Sequence, residues 1–491
     1  MYAIFGHGLV DSDAQARYLP QLEDFSHNPQ NIVTHIGPLY TIFLFTFRTL
    51  TPDFVTYTVM AQHVLGVLTA LLVYRFFRPM GYRLSLLVTA FVYAGWLALW
   101  LEHGILRESV TAFAVVGLVT VVHGVLTKAG TPRPFSAIAA GCAGTCVALL
   151  RVELIVLVVA LPLFFALGLI GRSERSKLAM LRWSAIYFVP LVAALGLIVA
   201  LKPARTARFH YGSAFDTAYY SLAYHGFMPR IFQYQRSRYP ELLAEYRSTL
   251  AAHRTEIDAL TDVRDRTSRA FSLFEQVTED YLSRHPELAL KPGELTDRVF
   301  LDLVRHNTLV YMQAVALNFA SHLRGMAELR SARLKTGTVD RMRMYVGGQD
   351  PLKTVAAGSA GVRSVRSVVL DTAFRLYLSA TWWCSNVLLA LSLIAAPIVF
   401  TKWRAVPNEV VLCGCVVGLH LVVLSVVADP AQRFRYPIDP FLYFVQAYLV
   451  VAALNAAPTA RVKGALRKAL GRKRTEAPPA TFTFREVRSA S

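Results

Sequence analysis

Cysteine is scarce in this sequence: five residues in 491, at Cys142, Cys146, Cys384, Cys413 and Cys415. All lie inside apolar runs and none in the charged stretch 202–378, so neither a disulfide framework nor a zinc site is implied. Cys413 and Cys415 are two apart, which sends them to different faces of a helix, and they read as packing residues. Also missing are a glycine-rich nucleotide loop, a Gly-x-Ser-x-Gly elbow, a His/Cys metal spacing and an internal repeat. ATP-driven and hydrolase chemistry therefore find no support. Acidic residues are short as well: 32 Asp and Glu against 51 Lys and Arg leave a formal charge of +19. In a water-soluble protein that surplus would suggest nucleic acid. Here the basic residues cluster in short loops and in the tail, as they do in cytoplasmic flanks of membrane helices, so nucleic-acid binding is set aside. Residues 1–5 are too short an apolar start, without a basic flank, to be a signal peptide.

What is abundant is apolar surface. Hydrophobic residues make up 54% of the chain, and they gather in runs of the length a helix needs to cross about 30 Å of hydrocarbon. The candidate spans are 55–77, 84–101, 108–127, 134–150, 152–170, 182–201, 379–400, 408–428 and 437–456. A shorter run, 39–50, follows His35-Ile36-Gly37-Pro38 and reads as a helix along the interface. The connections alternate in chemistry. Arg75, Arg78 and Arg83, then Lys128 and Arg133, then Arg172, Arg175, Lys177 and Arg182, then Lys402 and Arg404 belong inside, as does the basic tail, which is suited to anionic lipids. The opposite set lies outside: 1–54, the turn 102–107, the break at Arg151, the insert 202–378 and the loop 429–436. This topology leaves the N-terminus outside with no helix before it: either 1–54 translocates unaided or, as is favoured, a further upstream helix is expected.

The fold expected is all-α: a polytopic membrane bundle with a mostly helical extracytoplasmic insert. Residues 1–201 form an N-terminal membrane domain, 202–378 the insert, 379–457 the last membrane helices and 458–491 a basic disordered cytoplasmic tail. Within the insert, 239–275 and 294–330 show amphipathic spacing, as in Leu295, Val299 and Leu303 with Phe300 and Val304. His285-Pro286 and Lys291-Pro292-Gly293 break between them, and 331–368 reads as loop.

Ionisable groups beside spans are functional candidates, and here they gather on the outer side: Asp11 and Asp13, Glu102 and His103, Arg107 and Glu108, Arg151 and Glu153, then Arg433, Arg435 and Tyr436. Carboxylates in one cavity could act as a general base, and arginines could hold a phosphate. The plainer reading makes Arg107/Glu108 and Arg151/Glu153 ion pairs between helices. Asp11 and Asp13 could sit in a solvated loop, the usual fate of loop carboxylates, or bind a divalent cation, for which a lone Asp-x-Asp is a weak signal. His63, His123 and His420 read as packed, hydrogen-bonded histidines, and Trp96, Trp100, Trp382 and Trp383 as an interfacial belt.

The order of motifs carries a resemblance. "DSDAQARYL" is followed by "HIGPLYTIFLF", "QHVLGVLTALLVYRFF", "GILRESVTAFAVVGL", "AGTCVALLRVELIVLVVALPLF" and finally "QRFRYPIDPFLYFVQAYL". This succession resembles the GT-C membrane glycosyltransferases, in the dolichyl-phosphate-mannose-type, ArnT-like and Rgt-like branch. A weaker match, "DRVFLDLVRHNTLVYMQAVALNFASHL", resembles that family's helix ending in His-Pro before a re-entrant helix, with Asn307 where the proline would stand. The likeness covers roughly residues 8–170 and 295–455. The chain departs from the family in lacking its first membrane helix and in a longer, more charged insert.

The resemblance implies an inverting transfer of a sugar from a polyprenyl-phosphate donor to a lipid, glycan or protein acceptor at the outer face of a membrane, the plasma membrane of a bacterium being expected. It implies Asp13, or Asp11 if the register slips, as the catalytic acid that deprotonates the acceptor. Arg433, Arg435 and Arg151 are implied for the carrier phosphate. Glu108, Arg107, His103, Glu102 and Tyr436 would support them. No cofactor is implied, and a divalent cation is not favoured because the branch is generally metal-independent. Two other readings are a transporter or flippase of lipid-linked glycans, and a polymerase or ligase of surface polysaccharide or a membrane acyltransferase. The first would show a pseudo-twofold repeat, and the polymerase or ligase would need a late outer loop rather than the early aspartates.

Overall fold

The computed structural model describes residue 14 and residues 18–34, 37–93, 101–102, 104–127, 133–166, 177–201, 237–260, 263–324, 365–401, 406–427 and 435–456. Among these every regular element is helical. The α-helices are α1 (Leu19–His27), α2 (Pro38–Leu50), α3 (Phe54–Phe77), α4 (Tyr82–Tyr93), α5 (Glu108–Thr127), α6 (Pro134–Leu150), α7 (Ile155–Ala166) and α8 (Lys177–Leu201). Then come α9 (Pro240–Ala252), α10 (Arg254–Ala259), α11 (Val263–Arg284), α12 (Pro292–His306), α13 (Thr308–Arg324), α14 (Val365–Phe400), α15 (Asn408–Val427) and α16 (Asp439–Ala456).

Helices α3 to α8 and α14 to α16 stand at the expected spans. Among the described residues six segments are long and apolar enough to cross a membrane: Phe54–Met80, Glu108–Val125, Leu178–Ile198, Ser379–Phe400, Asn408–Val426 and Tyr436–Leu454. Their outward faces are apolar too, as at Val64 and Leu71 on α3, Val189 and Val192 on α8, and Leu393 and Ile394 on α14. Water does not tolerate so much contiguous apolar surface on a monomer, whereas hydrocarbon does. The chain is an integral membrane protein.

The bundle closes on itself in the neighbour order α4, α3, α5, α6, α8, α7, α15, α16 and back to α4, with α14 laid against α16. Its core is dominated by Val and Leu from α5 and α15 and by aromatic contacts, including Phe77 stacked on Phe444 at 3.7 Å. One junction shows how a broken helix is repaired inside the bundle. Pro162 in α7 has no N–H to give the carbonyl of Val158, four residues back. The Tyr187 hydroxyl of α8 donates to that carbonyl at 3.0 Å. Gly144 of α6 leaves room for it, since a Cβ there would lie 2.5 Å from the same hydroxyl oxygen.

The insert has a core of its own. Leu242, Leu243 and Tyr246 of α9 meet Phe271, Phe274 and Val277 of α11 and Leu295, Val299, Phe300 and Leu303 of α12. Helix α11 continues to Arg284, and His285-Pro286 and Lys291-Pro292-Gly293 interrupt the chain as expected. The second amphipathic stretch is divided at Asn307, whose side chain donates to Leu303 O at 3.0 Å while its own N–H caps α12. The helix after it, α13, packs along α15, with Asn318 Nδ2 donating to Ser425 O at 3.0 Å. The last helix of the insert thus lies on the membrane bundle. A second difference is at α14, which begins at Val365, inside the stretch read as loop. At 36 residues it is about 54 Å long, well beyond the hydrocarbon thickness.

All five cysteines are free, and only Cys413 is buried; Cys142, Cys146 and Cys384 face outward on their helices rather than packing inward.

Candidate functional site

At one end of the bundle a separate small core joins segments far apart in sequence. Ala14, Tyr18 and Leu22, Tyr40 and Leu44 of α2, Leu101, Ile105 and Leu106, Leu150 at the end of α6, and Tyr436 all belong to it. Around this core lie three groups of polar side chains.

The first group centres on the end of α6. Its last turn leaves carbonyls without helical partners, and the chain leaves the helix through Arg151 in extended conformation. Arg107 Nη1 donates to Leu150 O at 3.2 Å, a cation at the negative end of the helix. The backbone of Gly37 closes over this contact at φ +77°, and a Cβ there would lie 2.7 Å from Leu150 O and 3.2 Å from Arg107 Nη1. Arg151 is fully buried, at 0% exposure. Its Nε donates to Glu153 Oε1 at 2.6 Å, its Nη2 contacts the same oxygen, and its Nη1 faces Glu108 Oε1 at 3.8 Å. Arg107 Nη2 also reaches Glu153 Oε1, at 3.8 Å. Burial alone would raise the Glu153 carboxyl; the guanidiniums of Arg151 and Arg107 outweigh it and hold it down to about 2. Two cations and two anions from two connections therefore form one network. Its Glu108 Oε2 has no hydrogen-bond partner among the described residues.

The second group centres on Glu102. Gln62 of α3 anchors the turn, donating to Glu102 O at 3.2 Å and to Gly104 O at 2.6 Å, and it accepts from the Tyr40 hydroxyl at 3.0 Å. His63 Nδ1 lies 3.1 Å from Glu102 Oε2, and the Tyr436 hydroxyl donates to the same carboxylate. Burial pushes the Glu102 carboxyl above its ordinary value, and the hydrogen bonds from His63 and Tyr436 pull it part of the way back. Gly66, one turn along α3, faces this carboxylate so closely that any Cβ would overlap it. His63 and Glu102 line a cavity of about 480 Å³ between α3 and α4.

The third group surrounds Arg435, at 1% exposure. Its Nε donates to Asp439 Oδ1 at 2.5 Å, Nη1 to His322 O at 2.9 Å and Leu323 O at 3.0 Å, and Nη2 to the Tyr443 hydroxyl at 3.0 Å. Four of the five N–H groups of a guanidinium are thereby engaged. Arg435 ties the end of α13 to the start of α16 and holds Tyr436, its neighbour in sequence, against Glu102.

Of the residues singled out in the sequence, Glu102 and Tyr436 meet, and Arg107, Glu108 and Arg151 meet with Glu153. Asp11, Asp13, His103 and Arg433 lie outside the described residues. The geometry of Arg435 suits a fastener better than a phosphate ligand. The Arg151/Glu153 pair stands as expected, whereas Glu108 faces Arg151 rather than its neighbour Arg107, so the network also crosses between connections. His123, as expected, is hydrogen-bonded and packed, 3.4 Å from Glu409 Oε1 and against Phe76. His63 is likewise hydrogen-bonded and partly buried as expected, and it also lines the cavity. An ionisable group inside a span is itself the signal that could have singled it out. Asp439, four residues after Arg435, carried the helical i,i+4 spacing of an ion pair. Among the described residues no three His, Cys, Asp or Glu side chains gather as metal ligands.

No family model matches the sequence, and no curated protein matches it. Two solved structures are similar, both of ArnT from Cupriavidus metallidurans. The crystal structure bound to undecaprenyl phosphate is 14% identical over 96% of this chain and 78% of that one, with a TM-score of 0.34. The apo crystal structure is 12% identical over the same shares, with a TM-score of 0.31.

Proposed function

We propose that this chain is an inverting glycosyltransferase of the GT-C kind, which moves a sugar from a polyprenyl-phosphate carrier to a lipid, glycan or protein acceptor at the outer face of the membrane. The observation that carries the reading is the small core at one end of the bundle. It unites Ala14, the residue after Asp13 in sequence, with Leu106, Leu150 and Tyr436, each next to a buried charged group. The order of sequence motifs points the same way.

In this reading Asp13, or Asp11, takes the proton of an acceptor hydroxyl as its oxygen attacks the anomeric carbon. The bond from that carbon to the carrier phosphate breaks on the opposite face, its electron pair leaves with the phosphate, and the configuration inverts. Charge develops on the departing phosphate, where Arg433 and the Arg151 network would stabilise it. Arg435 contributes by positioning Tyr436. The donor being a lipid, no nucleotide loop is required.

The test is transfer by purified protein in proteoliposomes, supplied with a panel of polyprenyl-phosphate sugars. Asp13→Asn is expected to lower the rate by about 10²–10⁴-fold, with thermal unfolding unchanged. Full activity in Asp13→Asn, in Asp11→Asn and in the double variant would remove the assignment. Movement of the intact lipid-linked sugar across the bilayer, with no transfer, would favour a flippase.

A further inference from the structure

The cavity between α3 and α4 has two chemically different ends. Its walls are Val67, Leu71 and Leu86, which are 62%, 58% and 48% exposed on the outward faces of helices that sit in hydrocarbon. At the other end are the Glu102 carboxylate and His63, with Tyr93 and Thr89 on the wall. The Tyr93 hydroxyl and Thr89 Oγ1 are shielded from solvent and have no hydrogen-bond partner among the described residues. At about 480 Å³ the cavity lies within the range of small-ligand sites, about 300–1,000 Å³.

The charge of the polar end selects the ligand. Neither lysine nor arginine lines the cavity, and its polar end carries the Glu102 carboxylate with the His63 imidazole 3.1 Å away. A phosphate head would meet the Glu102 carboxylate, and the one imidazole beside it is already engaged with that carboxylate. A neutral hydroxyl can donate to Glu102 without bringing a second negative charge. We infer that the α3–α4 cavity is a laterally open binding site for a membrane lipid with an uncharged, hydroxyl-bearing head, its hydrocarbon chain along Val67, Leu71 and Leu86 and its hydroxyl at Glu102 and His63. Gly66 is what allows α3 to approach the carboxylate and leave the cavity open beside it. The site stands whether or not the chain transfers sugar.

The experiment uses the full-length protein in phosphatidylcholine vesicles and two photoreactive lipids with identical tails, a diacylglycerol and a phosphatidic acid. Labelled peptides are mapped by mass spectrometry. The diacylglycerol should label residues of α3 and α4, be displaced by unlabelled diacylglycerol, and label at least about fivefold more strongly than the phosphatidic acid. Leu71→Trp and, separately, Leu86→Trp should fill the cavity and abolish that labelling. Both positions face lipid, so thermal unfolding of each variant should match the parent, and either alone suffices as the test. Labelling that survives in a folded plug variant, labelling confined to other helices, or phosphatidic acid labelling as strong as diacylglycerol would each overturn the assignment.

Discussion

Arg151 and Arg435 are both buried, both flank helix ends, and both lie at the same end of the bundle, yet their surroundings differ in kind. Arg435 meets one carboxylate, two backbone carbonyls and a tyrosine hydroxyl, all within 3.0 Å. Those partners are fixed by helix packing, and the guanidinium closes the seam between α13 and α16. Arg151 meets Glu153 and Glu108, and Glu153 is shared with Arg107. Carboxylates shared between two guanidiniums can redistribute their contacts when another anion arrives. Burial of an arginine is therefore a poor guide to ligand binding on its own; the identity of its acceptors is more informative.

The sharpest way to break this contrast is Arg435→Met. It leaves Asp439 buried and uncompensated, and should destabilise the detergent-solubilised protein by about 3–5 kcal/mol in thermal unfolding. Arg435→Met with Asp439→Leu should recover most of that, because an apolar pair of similar size can replace a buried ion pair. No recovery would mean that the carbonyl contacts of Arg435, not its charge, hold the seam.

Glu153→Gln probes the other network. The Glu153 carboxyl is depressed from 4.5 to about 2, so its stabilising contribution is complete above the ordinary carboxylate range and drains away as pH falls toward about 2. The substitution should forfeit at most about 3 kcal/mol at neutral pH. The gap between parent and variant should narrow on acidification below about 4.5. A gap independent of pH would assign the loss to packing.

Gly37→Ala sharpens the picture of how Arg107 is held. A Cβ at φ +77° and against Leu150 O is strained on both counts, and about 1–3 kcal/mol should be lost. The melting temperature should fall accordingly. The smallest effect is expected from Tyr187→Phe, a neutral control for both arginines. It removes the donor to Val158 O at the Pro162 break and should lose about 1 kcal/mol. A loss as large as that of Arg435→Met would erase the distinction between charged and neutral seams.

Much of the fold was legible without coordinates. The apolar runs coincide with helices because the thickness of hydrocarbon sets a length that one segment must satisfy alone. The helix at 38–50 and the breaks at His285-Pro286 and Lys291-Pro292-Gly293 follow from local backbone chemistry, whereas the division at Asn307 was not read from it. Legibility failed where a helix had two possible environments. Residues 308–324 suit an aqueous core as well as a membrane flank, and packing on α15 chose the flank. Within the site, the chain supplied the cast but not the pairing. Glu108 follows Arg107 in sequence yet faces Arg151. His63 resembled His123, yet α3 turns it toward Glu102.

Span lengths, helix starts and the gathering of ionisable groups near span ends are local properties, written in consecutive residues and sufficient to identify a helical membrane protein. Which acid answers which arginine, and which histidine borders a cavity, depends on how each helix is rotated against its neighbours. That rotation minimises the energy of the whole bundle, so only the tertiary structure decided it.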